Sequence, residues 1–106
     1  MNQTMPIIAS FRASVVASAV GGALVGLNGK CVDAAGRGTA NGAPLQMWTC
    51  NFEPQQLWGW NPFDAASPIV GAGSGRVIDV EGYGTANGAR LQLWDAANTP
   101  NQRWSM

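Results

Sequence analysis

The sequence contains an internal repeat. Residues 38–48 read GTANGAPLQMW and residues 84–94 read GTANGARLQLW. These phrases belong to a longer match, because a shift of 46 residues aligns 29–58 with 75–104 without a gap and with about half of the positions identical. Self-similarity at one fixed period indicates a fold built from repeated units. A chain of 106 residues is one domain at most, so the repeat predicts a single domain that contains two copies of one unit.

The repeated unit has the composition of a β structure. The Asn-Gly dipeptides at 41–42 and 87–88 predict turns, because both residues tolerate a positive φ. The chain contains 14 glycines and five tryptophans. Glycine-rich turns between strands of aliphatic and aromatic residues predict an all-β fold.

The strand that follows each Asn-Gly turn has two different faces. Side chains alternate across a strand, so Leu91 and Leu93 share one face in the second copy, while Gln92 and Trp94 share the other. The first copy repeats this arrangement in 45–48. We expect the aliphatic face to pack in the core and the face with the amide and the indole to be outward.

The other two strands of each copy also carry distinctive residues. Alternation turns Asp33 and Asp79 away from their apolar neighbours, so both aspartates are predicted to face outward. The last strand contains Trp58 or Trp104, which we expect in the core. The glutamine two residues before each of these tryptophans is expected to satisfy backbone groups from inside.

The two cysteines, Cys31 and Cys50, both lie in the first copy. Their counterparts in the second copy are Val77 and Ala96, so both cysteines are absent together. This joint absence favours a disulfide within the first copy over two free buried cysteines, which would behave as small hydrophobic residues. A bridge of this span stabilises a fold by roughly 3 kcal/mol in the chain-entropy model and indicates an oxidising compartment.

The composition argues against several classes of function. The net charge is zero and only 11% of residues are charged, so neither nucleic acid nor an anionic membrane is an expected partner. The chain has no histidine, which leaves almost no ligands for zinc and excludes a Ser-His-Asp triad. A glycosidase needs two carboxylates near one bond, but Asp33 and Asp79 occupy equivalent positions in separate copies. We therefore predict a protein that is not an enzyme and needs no cofactor or metal.

The segment 1–22 lies outside the repeat. Residues 6–23 are rich in Ala, Ser and Val, and "ASA" at 17–19 resembles a signal-peptidase site. The start of the chain lacks Lys, however, and Arg12 interrupts the apolar run. A secretion signal, an unrelated extension and a shifted start site all remain open, whereas a membrane span would need a longer run without a charge.

An exposed tryptophan beside a carboxylate and amides suits a sugar. Asp, Asn and Gln side chains can fix a pattern of hydroxyl groups, and the less polar face of a pyranose can stack on an indole ring. The alternative is that Trp48 and Trp94 are core residues, and that Asp33 and Asp79 hold turns.

The motifs "CVD…NG..LQMW.C…QQLW" and "VIDV.G.GTANG..LQLW…NQRW" resemble repeats of the ricin B-type lectins, including their terminal Q-x-W. The resemblance covers about residues 23–106, with copies at about 23–67 and 68–106. It implies a β-trefoil, built in that family from three repeats. It also implies a secreted carbohydrate-binding module, often directed to galactose or xylan and often attached to an enzyme or toxin.

The resemblance also implies site residues at matching positions of each copy. In the second copy it implies that Asp79 and Gln92 form hydrogen bonds to the sugar and that Trp94 is the stacking platform. It implies that Asn101 and Gln102 close the site. The first copy matches at Asp33, Gln46, Trp48 and Gln56. Gln55 stands where the family usually has Asn, and its longer side chain moves the amide by about one methylene.

The chain contains two of the three repeats that the resemblance implies. Three explanations are open: a truncated or mis-started gene product, self-association that completes the trefoil, or a partial substitution of the missing copy by 1–22. A trefoil of this kind that serves a structural or protein-binding role, without sugar, is the alternative function.

Overall fold

The computed structural model describes residues 12–15, 21–26, 28–61 and 63–105, with the backbone alone described for 12–15 and for residue 21. Within these residues the fold is all-β, as predicted, with short 3₁₀ segments between some of the strands. The strands are β1 (Arg12–Val15), β2 (Gly21–Val25), β3 (Lys30–Ala34), β4 (Leu45–Thr49), β5 (Trp58–Gly59), β6 (Val70–Gly71), β7 (Val77–Val80) and β8 (Leu91–Trp94).

The strands form one antiparallel sheet in the order β4-β3-β2-β5-β6-β7-β8, with β1 paired to the edge of β2. The first copy supplies β2 to β5. The second supplies β6 to β8 and a last extended segment in which Trp104 pairs with Ser67. Gly42 and Gly88 adopt φ values of 89° and 85°, so both Asn-Gly dipeptides form the predicted turns.

The core combines apolar side chains from both copies. Its two largest members, Trp58 and Trp104, are buried as predicted. Each indole N–H donates to a backbone carbonyl of its own copy, at 3.2 Å to Val32 and at 3.1 Å to Ile78. These bonds satisfy the polar atom that burial of a tryptophan would otherwise leave without a partner.

The turn after β3 in the first copy packs against the second copy. The amide of Gly42 donates to the carbonyl of Leu93 (2.8 Å), and the amide of Leu93 donates to the carbonyl of Ala43 (2.9 Å). The turn therefore adds two strand-like hydrogen bonds to the outer edge of β8, which links the copies.

The predicted extension 1–22 contributes β1 to the sheet. Arg12 lies opposite Val25 on β2, just as Gly59 lies opposite Val70 on β6. Val25 also pairs with Cys31, and Val70 pairs with Val77, the residue equivalent to Cys31. β1 therefore pairs with β2 at the position at which β5 pairs with β6. The signal-like "ASA" at 17–19 lies outside the described residues.

The predicted disulfide between Cys31 and Cys50 is confirmed, with the two Cα atoms 5.1 Å apart. In the second copy, Val77 is buried at the position of Cys31. No helix in the described part of the chain has the length and apolar character to cross a bilayer.

Candidate functional site

The second copy buries the aspartate that was predicted to face outward. Asp79 is only 5% exposed, and its first-copy equivalent Asp33 is 3% exposed; the prediction of an outward aspartate is therefore wrong in both copies. All four residues of β7 are buried, because the 3₁₀ turn Pro100–Gln102 covers the face that alternation alone would leave in solvent. The corresponding 3₁₀ turn Pro54–Gln56 covers β3 in the same way.

Three side-chain amides surround the Asp79 carboxylate. Gln92 donates to Oδ1 at 3.0 Å, while Asn101 and Gln102 donate to Oδ2 at 3.0 and 2.9 Å. A buried carboxylate requires such donors, since the cost of removing it from water is otherwise large. The predicted residues Asp79, Gln92, Asn101 and Gln102 are thus brought together in one network.

Gln102 also closes the loop that follows β8. Its amide donates to the carbonyl of Asp95 (3.0 Å), and its side-chain oxygen accepts from the amide of Ala97 (2.7 Å). Gln56 does the same in the first copy through Thr49, Asn51 and Phe52. The prediction that these glutamines satisfy backbone groups from inside is confirmed.

The faces of β8 agree with the alternation pattern. Leu93 is buried, whereas Trp94 on the opposite face is 42% exposed. In the first copy Trp48 is 54% exposed. The prediction of an outward tryptophan in each copy is confirmed, and the alternative of two core tryptophans at these positions is wrong.

The first copy has a less complete network. Asp33 accepts from Gln46 (3.1 Å) and from Gln56 (2.9 Å), but Gln55 donates to Glu53 instead (3.2 Å). Glu53 also forms an ion pair with Arg37. The longer side chain at position 55 therefore engages a neighbouring carboxylate, whereas Asn101 in the second copy reaches the buried one.

Tyr83 is an exposed aromatic residue that the sequence analysis did not single out. It ends the 3₁₀ turn Glu81–Tyr83, which follows β7 directly, and it is 60% exposed. Its φ of 57° is uncommon for a residue with a side chain. The sequence could have indicated Tyr83 only through its position, which is four residues after Asp79 and equivalent to Arg37 in the first copy.

A separate cleft of about 190 Å³ lies between the two copies. Its lining includes Arg37, Gln55 and Trp58 of the first copy and Gly73 and Ser74 of the second. Asp79 and Trp94 do not line it. The predicted site residues of the second copy therefore lie outside this cleft.

Comparison with known proteins places this geometry in a family. The model of the ricin-type beta-trefoil lectin domain-like family matches residues 24–94 and 60–106. No curated protein matches the chain significantly.

Three solved structures are similar to this chain. A designed 3-fold symmetric protein, ThreeFoil, is 24% identical with a TM-score of 0.81, over 88% of this chain and 67% of that one. An exo-beta-1,3-galactanase from Clostridium thermocellum is 25% identical with a TM-score of 0.82, over 90% of this chain and 21% of that one. The Polyporus squamosus lectin is 17% identical with a TM-score of 0.74, over 88% of this chain and 33% of that one.

The match to two thirds of a three-fold symmetric protein agrees with a β-trefoil arrangement of two repeats. Because the family model covers most of the sequence, and the sheet and the repeated aspartate-amide networks fit it, the chain belongs to the ricin-type beta-trefoil lectin domain-like family.

Proposed function

We propose that the chain is a non-catalytic carbohydrate-binding module whose main site lies in the second copy. The observation that carries this proposal is the exposed Trp94 on the same strand face as Gln92, which donates to the buried Asp79 carboxylate. Asn101 and Gln102 hold that carboxylate in place. A sugar that stacks on the indole would meet the half-buried amide of Gln92, whose orientation the buried Asp79 carboxylate holds.

The sugar class that we propose is a pyranose such as galactose or a xylose unit. The C. thermocellum neighbour is named as a galactanase, and the P. squamosus lectin was solved with a glycan that contains galactose. These names support galactose as the first ligand to test. Tyr83 is a further exposed aromatic residue, after the end of β7 at which Val80 pairs with Leu91.

The first copy is proposed as a second, weaker site. Trp48 is exposed as Trp94 is, and Gln46 and Gln56 hold Asp33. Gln55, however, is engaged by Glu53, so one of the amides that reach the carboxylate in the second copy is missing. Two sites on one rigid chain would increase avidity for a polymeric glycan.

The absence of catalysis is part of the proposal. Three acidic side chains outside the two networks are paired with arginines, namely Glu53 with Arg37, Asp64 with Arg103 and Asp95 with Arg76. These pairs leave them poorly suited to act as an acid and a nucleophile on one glycosidic bond. Glycan hydrolysis that survives Trp94→Ala but is lost in a carboxylate variant would contradict this part of the proposal.

We also propose an extracellular location, because the Cys31–Cys50 disulfide persists in oxidising compartments.

The test is a glycan array followed by titration of each bound sugar, on the wild type, Trp94→Ala and Trp48→Ala. Both tryptophans are exposed, so neither substitution should unfold the chain. We expect Trp94→Ala to weaken binding by about tenfold or more, equivalent to about 1.4 kcal/mol, and Trp48→Ala to have the smaller effect. Equal retention of every sugar by the wild type and Trp94→Ala would refute the site.

The competing function is a structural or protein-binding trefoil, since a fold alone does not fix a function. Its expected result is a well-folded wild type that binds no glycan on the array. The organised amides around Asp79 favour sugar binding over this alternative, because a purely structural role would not need an exposed tryptophan beside them.

A further inference from the structure

The cleft between the two copies is distinct from the two proposed sugar sites. Neither the buried aspartates nor the exposed tryptophans of β4 and β8 line it, and of the residues predicted to bind sugar only Gln55 does. Gln55 is also the residue that does not reach the buried carboxylate of its own copy, because its amide donates to Glu53. The cleft therefore has polar groups of its own, and one of them is an amide that the first aspartate network leaves out.

Contacts between the copies fix the residues that line the cleft. A Cβ atom placed on Gly73 of the second copy would lie only 3.2 Å from Cβ of Pro54 of the first, so the backbone approaches closely at this point. The guanidinium of Arg76 donates to the carbonyl of Thr39 at 2.5 Å and holds the first-copy loop. Gly73, Pro54 and Thr39 all line the cleft. The cleft is therefore formed before a ligand enters, as is usual for small-molecule sites.

The lining combines buried apolar residues with polar groups from both copies. Its buried side chains belong to Ala34, Trp58 and Leu93. Its polar side chains are exposed or half-buried and belong to Arg37, Thr39, Gln55 and Ser74. Among the described residues that line the cleft, none is acidic. An apolar floor with a few convergent polar groups is the usual composition of a small-ligand site, and the charge that this lining offers is positive.

Arg37 has hydrogen-bond donors left for a ligand. Its Nη2 donates to the carboxylate of Glu53 at 2.7 Å, while its Nε and Nη1 have no hydrogen-bond partner within the described residues. Its φ of 57° belongs to the left-handed conformation that concentrates at functional sites. Glu53 does not line the cleft, and an exposed ion pair contributes little to stability. A carboxylate in the cleft can therefore join or replace Glu53 as the partner of Arg37.

We propose that this cleft binds a uronic acid, a single pyranose ring that carries a carboxylate. The carboxylate accepts hydrogen bonds from Arg37, and the hydroxyl groups of the ring bond to Gln55 and Ser74. The less polar face of the ring covers the apolar floor. The cleft of about 190 Å³ is smaller than the roughly 300–1,000 Å³ of sites for drug-sized molecules, so it takes one ring and not a chain of sugars. The site goes beyond the lectin function proposed above and does not depend on it.

The probe is galacturonate, with galactose as its uncharged counterpart and acetate as a carboxylate without a ring. Each is titrated into the wild type and into the double variant Trp48→Ala, Trp94→Ala, in which the proposed sugar sites lack their stacking surfaces. Amide shifts at Gly73 and Ser74 in NMR spectra report a ligand in the cleft. We expect saturable shifts at both amides with galacturonate in both proteins. Galactose and acetate should bind there at least about tenfold more weakly, because each lacks part of the contacts.

Two substitutions at the ion pair should act in opposite directions. Arg37→Ala removes the partner of the carboxylate, and we expect it to weaken galacturonate binding by about tenfold or more. Glu53→Gln removes the competing carboxylate and keeps a side chain of the same size, so it should strengthen binding by about threefold. Arg90→Ala is the matched control, because Arg90 is exposed and does not line the cleft. It should change binding by less than about twofold in physiological salt.

The outcomes separate this site from the sugar sites. Lack of galacturonate shifts at Gly73 and Ser74 in the folded wild type overturns the proposal, as does binding that is lost in the double tryptophan variant. Binding that Arg37→Ala leaves unchanged, that Glu53→Gln does not strengthen, or that galactose or acetate matches also overturns it, because the cleft then does not select a carboxylate on a ring. Galacturonate binding in the cleft without any hit on the glycan array would support this site and refute the lectin function, so the two proposals fail independently.

Discussion

At Asp79, the position of a single side chain depends on residues more than twenty positions away. The alternation in 77–80 predicted an outward aspartate, because the pattern records only the two faces of one strand. The 3₁₀ turn at Asn101 and Gln102 covers the second face and supplies amide donors in place of water. The family resemblance therefore predicted which residues meet, the local pattern predicted only the faces of the strands, and long-range packing buries the carboxylate.

The two glutamines on Asp79 give a prediction at this scale. Gln102 is buried and also binds two backbone groups, whereas Gln92 is half-buried and makes one bond to Asp79. We expect Gln102→Ala to lower the free energy of unfolding by about 2–4 kcal/mol, since it leaves buried polar groups without partners. Gln92→Ala removes one bond to Asp79 and no bond to the backbone, so it should cost less, about 1–2 kcal/mol, while still weakening sugar binding.

Urea unfolding measures the first effect, and titration of a sugar that binds the wild type measures the second. Equal loss of stability in the two variants would contradict the assignment of Gln102 as the structural amide and Gln92 as the ligand-facing one.

Among the elements of the fold, the sequence predicted β3 to β5 with β7 and β8, but it did not predict β1 or the first strands of the two copies, β2 and β6. β4 and β8 follow Asn-Gly turns and alternate clearly, so both their existence and their faces were predictable. β1 lies in 1–22, where neither turn residues nor alternation mark a strand. Its place is set by the edge of β2, a tertiary requirement that no local pattern carries.

The disulfide joins β3 to the loop after β4. In the second copy, Val77 and Ala96 stand at the positions of the two cysteines. We expect reduction of the wild type to lower the free energy of unfolding by about 3 kcal/mol, because the unfolded chain regains the entropy of an open loop. Binding at the second site should persist below the new melting temperature, since neither cysteine belongs to that copy.

The matched variant is Cys31→Val with Cys50→Ala, which installs the residues of the second copy. Val77 is buried at the position of Cys31, so valine should fit there. Thermal unfolding with and without reductant should shift for the wild type and not for the variant. A wild-type melting temperature that does not respond to complete reduction would contradict a stabilising role of the bridge.

At the scale of the whole molecule, two copies of one unit are held together by contacts that the sequence repeat does not itself contain. Arg76 and Asp95 join the copies across the first Asn-Gly loop, and the residues equivalent to them are Lys30 and Thr49. The alignment predicted the units and their number. The interface between them could not be read from it, because it depends on positions where the copies differ.

Arg76→Ala and Lys30→Ala test this interface, because the two residues occupy equivalent positions in the two copies. Arg76 donates two hydrogen bonds to the first copy and lies 3.3 Å from the Asp95 carboxylate. Its loss should lower the free energy of unfolding by about 1 kcal/mol, mainly through the two hydrogen bonds to the first copy, because solvent screens the ion pair with the exposed Asp95 carboxylate. Lys30 is exposed, and within the described residues its side chain forms no contact of this kind, so Lys30→Ala should change stability by less than about 0.5 kcal/mol.

Urea unfolding of both variants measures the difference. Hydrogen exchange at Gly42 should accelerate in Arg76→Ala alone, because the loop loses the hydrogen bonds that Arg76 donates to it. Equal stability of the two variants would mean that the backbone bonds between the loop and β8 hold the copies together without the arginine.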